Sequence, residues 1–219
     1  MSVGEGMSLE FTYQQSSCVL LTGEYVRGIA TDPAFVAAVN SPRTQFVEVP
    51  EVEVAAFGTL QIVSSEQPLG HPANVSLTET GDEPLSRLTR AARSAFTLAL
   101  AKQSAVAVGV NFSATIELSE QAMDALLSRL FNPRIAEHRS DPERRLIGGG
   151  VRLIYDTKPW VATVAVERNP KQQTQIACAV NFNIDKPKKN QVALIRDAEK
   201  LRAWFEQTVN GIVGETSDA

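Results

Sequence analysis

Thirteen consecutive residues, Val106 to Leu118, alternate in kind: Val106, Val108, Val110, Phe112, Ala114, Ile116 and Leu118 are apolar, and the residues between them are small or polar. A period of two describes an extended strand with one face buried and the other left to solvent. Ile176, Cys178, Val180, Phe182 and Ile184 repeat the pattern against Gln175, Ala177, Ala179, Asn181, Asn183 and Asp185. Strands with one polar face belong to antiparallel sheet, because parallel sheet is covered on both sides and reads as continuous apolar runs. The expected fold is therefore α+β, an antiparallel meandering sheet with amphipathic helices packed on one face.

The rest of the chain divides into short elements. Leu9 to Tyr13 and Cys18 to Tyr25 read as strands with imperfect alternation. Asp32-Pro33 opens a two-turn helix that Ser41-Pro42 closes. Phe46 to Val49, Val52 to Val54 and Thr59 to Val63 are strand-like, with Pro50 arguing for an edge strand or a bulge. Residues 64–84, rich in Pro, Gly, Ser, Thr and acids, read as a long loop. From Leu85 to about Lys102 apolar residues recur at helical spacing, and a second helix follows Ser119 through Phe131. Val151 to Asp156, Trp160 to Glu167 and Gln173 to Asp185 form a meander, and a final helix runs from Gln191 to Asn210. The chain reads as one α+β domain, or as two closely packed halves of about 1–131 and 132–219.

Val-Asn-Phe occurs at 110–112 and again at 180–182 with similar flanks, which is compatible either with an internal duplication or with convergent strand chemistry. In both copies the asparagine, Asn111 or Asn181, lies in the phase opposite the large apolar residues. There it is suited to a cross-strand hydrogen bond, or to lining a cleft.

Several classes of chemistry lack their residues. Two cysteines, Cys18 and Cys178, make no disulfide framework, and a reducing, cytoplasmic setting is expected. No long apolar run or N-terminal leader is seen, so no membrane association is expected. With only His71 and His138, no imidazole-rich metal site is expected, and no cofactor is implied. Nucleophile elbows and phosphate-loop patterns are missing, and Gly148 to Gly150 reads as a turn.

Charge is unevenly divided. Met1 to Leu85 holds eleven acids and two cations, whereas Ser86 to Ala219 holds nineteen cations and fourteen acids. Such a division suits attraction within the fold or between subunits. Arg87, Arg90 and Arg93 share the helix arc opposite the apolar one and are candidate anion ligands. His138, Arg144 and Arg145, with Glu137 and Asp141 nearby, are the other ligand candidates. Trp204 flanks the apolar stripe of the last helix and is the interface candidate, with covering of its own core as the alternative role. An acidic pI near 5.3 and only 6% aromatics disfavour nucleic acid. The leading expectation is a noncatalytic protein-binding or assembly protein that associates with itself or another protein. The alternatives are a small-ligand protein or enzyme with a cleft of carboxylates and arginines, and then a nucleic-acid binder.

Overall fold

The computed structural model describes residues 9–67, 71–130, 150–169 and 171–213. Its centre is a nine-stranded antiparallel sheet of order β2-β3-β4-β5-β1-β6-β9-β8-β7. The first part of the chain forms β1 (Thr12–Thr22), α1 (Pro33–Val39), β2 (Gln45–Val49), β3 (Val52–Phe57), β4 (Leu60–Ser65), β5 (Ala73–Thr80) and α2 (Leu85–Leu100). The second forms β6 (Ala105–Glu117), α3 (Glu120–Leu130), β7 (Gly150–Thr157), β8 (Trp160–Arg168) and β9 (Gln175–Asp185). It closes with a one-turn α4 (Lys189–Val192), a 3-10 turn (Ala193–Asp197) and α5 (Ala198–Val213).

These two series share one path. Each begins with a strand, continues through a helix and a meander, brings the last meander strand back beside the first strand, and ends in a helix. β1 and β6 meet at the middle of the sheet, so the boundary between the two series falls between α2 and β6. The Val-Asn-Phe similarity does not mark this repeat. β6 and β9 are direct antiparallel neighbours in which Asn111 faces Asn181, whereas the topology equates β6 with β1 and β9 with β5.

Alternation decides what is buried. Val108, Val110, Phe112, Ala114 and Ile116 of β6 are buried, as are Ile176, Cys178, Val180, Phe182 and Ile184 of β9. α2 packs on β1, β5 and α1, and α5 packs on β9. Leu85, Leu88, Ala92, Ala95, Phe96 and Ala99 form the buried arc of α2, joined by Ala91. Edge-to-face ring contacts join the layers, with Phe182 against Phe112, Trp160 and Trp204 at centroid distances of 6.3, 6.4 and 5.4 Å. Such pairs contribute roughly 0.5–1.5 kcal/mol each beyond their buried area.

Four local expectations are corrected. Residues 64–84 are not one long loop, because they contain β5, whose Ala73, Val75, Leu77 and Glu79 are buried between β4 and β1. The two N-terminal strands are a single strand, interrupted by a register shift between Tyr13 and Gln15 that breaks the alternation. Val106 is 38% exposed despite its apolar phase, since it lies at the start of β6. The final helix is preceded by a 3-10 turn that, with α4, buries Val192 and Ile195, three residues apart on one side. Pro50 behaves as expected: it lies in the β2–β3 turn, and β2 is an edge.

Candidate functional site

The phase of the sheet opposite the core carries an ordered polar row, in which Gln61 and Asn181 are exposed, Thr78, Asn111 and Thr163 are half-buried and Ser17 is buried. Register places Gln61, Thr78, Ser17, Asn111, Asn181 and Thr163 opposite one another across six adjacent strands. At its middle the Asn111 Nδ2 donates to Ser17 Oγ at 3.0 Å, and the Asn181 Nδ2 donates to Asn111 Oδ1 at 2.5 Å. These bonds fix the orientation of both amides. Asn181 is exposed, so its oxygen and second amide hydrogen face solvent.

The neighbouring row is apolar on one flank: Val47, Val54 and Val63 lie opposite one another, followed by Ser76, Val19 and Gly109. A Cβ on Gly109 would come within 3.2 Å of the Phe182 carbonyl oxygen, so a side chain there would require that backbone to give by a few tenths of an ångström. Four large apolar side chains are markedly exposed in this phase, Val47, Val49, Val161 and Ile154. A groove of about 630 Å³ runs along β8 and β9, lined by Pro159, Val161, Thr163, Asn181, Asn183 and Gln191, among others.

Charge on this phase is sparse. Its ionisable residues in the strands are Glu117, Asp156, Glu167 and Asp185, with Arg152 the single cation.

The arginines of α2 differ in their surroundings: Arg87 turns away from the other two, while Arg90 and Arg93 line one groove of about 300 Å³. Arg87 turns inward, with Nε 3.7 Å from the Glu79 carboxylate, NH1 3.4 Å from Thr59 Oγ1, and NH2 donating to the Phe57 carbonyl. Burial raises the pKa of Glu79, opposed by Thr59 and Arg87. Arg90 Nε donates to the Ala38 carbonyl at the end of α1, 2.8 Å away. Arg93 is exposed, its carbonyl accepting from the Thr97 hydroxyl at 2.7 Å, and its side chain borders a groove of about 310 Å³ formed with Phe96, Leu100, Val192 and Ile195. That groove contains no carboxylate.

Glu137, His138, Asp141, Arg144 and Arg145 lie outside the described residues. Trp204 is partly buried, its ring edge-to-face with Tyr155 and Phe182 at 5.4 Å in each case. Among the described residues, no group of three or more His, Cys, Asp or Glu is placed to hold a metal ion. No helix among them is long and apolar enough to cross a membrane.

Two polar networks were not legible in the sequence. Glu53, 1% exposed, accepts from the backbone N–H groups of Gly28 and Ala30, both at 2.6 Å, and clamps the loop after β1. Gly28 has φ +78°, which favours glycine there. Tyr13 donates its hydroxyl to Glu206 at 2.8 Å, while Arg202 stacks 3.6 Å over the Tyr13 ring and pairs with Asp82 at 2.7 Å. Burial, then Glu206, pushes the Tyr13 pKa up. Asp82 with Arg202, and Glu79 with Arg87, join the acidic part of the chain to the basic part within one molecule. Comparison with protein-family models and with curated proteins gave no significant match.

Proposed function

We propose that the chain is a noncatalytic protein-binding or assembly protein that holds a polypeptide partner on the exposed phase of its sheet, with the helices packed on the other face. The observation that carries this reading is the row through Ser17, Asn111, Asn181 and Thr163. Its amides are oriented by one another and flanked by exposed valines, so directional polar groups and apolar area lie on one prearranged surface. A polypeptide supplies both kinds of complement, whereas a phosphate backbone meets four carboxylates and one arginine. Cys18 and Cys178 are buried free thiols, each pushed up to about 12 by burial, and an inert thiol pair of this kind suits a reducing, cytoplasmic setting.

The test places a photo-reactive residue at Val63 or Asn181, with Glu199 on α5 as control, in the cell that makes the protein. Crosslinks from both sheet positions should converge on one protein species and disappear when Thr163→Lys puts a charge into the row, with thermal stability unchanged. Equal labelling from Glu199, insensitivity to Thr163→Lys, or crosslinking chiefly to nucleic acid would refute the reading.

A further inference from the structure

β7 is the last strand of the sheet order, and no other described strand pairs with its outer side. The Asn169 N–H donates to the Gln175 carbonyl at 2.9 Å, which sets the hydrogen-bonding phase between β8 and β9. Through that register, Thr163, Ala165 and Glu167 direct their backbone groups to β9, and Ala162, Val164 and Val166 direct theirs to β7. The partners of the latter are Tyr155, Leu153 and Val151. Gly150, Arg152, Ile154 and Asp156 therefore turn their N–H and C=O groups to the free edge.

We propose that this edge joins a second copy of the chain, β7 against β7 in antiparallel register about a twofold axis at Ile154. That register satisfies the edge groups of Arg152, Ile154 and Asp156 and at the same time sets opposite charges against each other. It sets Arg152 opposite Asp156 of the partner and Asp156 opposite the partner's Arg152, each a hydrogen-bonded backbone pair flanking the central Ile154 pair. Shifting the axis to Arg152 opposes like charges, and shifting it to Tyr155 brings Arg152 opposite the partner's Lys158. Ile154 is 72% exposed, the most exposed large apolar side chain among the described residues, and the pairing covers it. On the other face Leu153, 36% exposed, meets the partner's Tyr155, whose ring already packs on Trp204. The opposite edge is less suited: β2 has five residues, begins where both Thr44 and Gln45 face Ala56, and runs into Pro50. The result is one continuous sheet of two chains, built by isologous contact.

This pairing deepens the assembly reading, but it rests on the edge strand and is measured by mass, so it stands or falls separately from partner capture on the sheet face. Sedimentation equilibrium of the full chain at tens of micromolar, roughly the range that detects weak association, should show a dimer. Arg152→Asp alone and Asp156→Arg alone should each weaken it about tenfold or more, because two attractive contacts become repulsive. An equimolar mixture of these two variants should restore the dimer, since every contact across the mixed pair is again opposite in sign. Ile154→Pro, which removes an edge donor not used by β8, should give a folded monomer. A monomeric wild-type protein, or a dimer whose mass ignores the charge reversals and their mixing, would overturn the proposal.

Discussion

Replacing Arg87 with Gln distinguishes an internal counter-charge from a surface ligand group. Glu79 is 1% exposed and its carboxylate is 3.7 Å from the Arg87 guanidinium. Without the arginine the carboxylate either stays charged, at a cost of roughly 3–5 kcal/mol for a broken buried pair, or takes up a proton. Protonation sets the ceiling. At pH 7 a carboxyl with an ordinary pKa of about 4.3 is neutralised for about 3.7 kcal/mol, at about 1.36 kcal/mol per pH unit. The arginine side chain is itself 24% exposed, so water screens the native pair. A loss of about 1–3 kcal/mol at pH 7 is expected.

The pH dependence gives the sharper test. Burial already raises the Glu79 pKa, so the folded protein holds this proton more tightly than the unfolded chain. The stability from this group is full below the ordinary carboxyl pKa and is lost as pH rises through that value toward the raised one. Arg87→Gln removes an influence that lowers the pKa, so the loss extends to higher pH. The deficit relative to wild type should be largest near pH 7.5 and shrink toward pH 5 in urea unfolding. Glu79→Gln should flatten the difference between those two conditions. Wild-type stability of Arg87→Gln at both pH values would refute the coupling and return Arg87 to the exposed arc.

Phe182→Ala should cost about 3–5 kcal/mol by chemical denaturation, because a fully buried ring with three aromatic neighbours is removed; Asn181→Ser on the opposite face should be much milder. Glu53→Ala should cost about 2–4 kcal/mol, since the Gly28 and Ala30 N–H groups lose a shared charged acceptor, and hydrogen exchange at those two amides should rise. Trp204→Ala should lower stability by about 2–4 kcal/mol without changing the mass seen in sedimentation, because the ring packs on its own Tyr155 and Phe182. A change of mass at unchanged stability would restore it as an interface residue.

Long alternating strands and amphipathic arcs were legible because burial of one phase is what those patterns mean. β5 was not legible. Its exposed phase is Asn74, Ser76 and Thr78, leaving only Val75 and Leu77 as large apolar signals, and the strand is secured by neighbours on both sides that the local sequence does not show. Arg87 was misjudged for a related reason. A helical wheel reports direction about an axis, but a long side chain at the first turn reaches over the β3–β4 turn to Phe57, Thr59 and Glu79. The buried role of Glu53 was equally hidden, because its partners are backbone groups of a loop more than twenty residues earlier.

The asparagines show how sequence similarity and structural equivalence come apart. The Lys186 N–H donates to the Val106 carbonyl at 2.7 Å, so the hydrogen-bonded pairs between β6 and β9 fall at every second position, and Asn111 with Asn181 falls between them. Side chains of such a pair approach most closely, since their Cα atoms are about 4.5 Å apart. Two amides there bond each other directly, and the next strand supplies Ser17 to receive the remaining donor. A matched Val-Asn-Phe in facing strands is thus accounted for by the contact itself, with buried Val110 opposite Phe182 and Phe112 opposite Val180 on the other side. The repeat that does organise the fold needs only the binary pattern, which many residues satisfy. It therefore leaves little trace in identity, while a local pair leaves one that resembles descent.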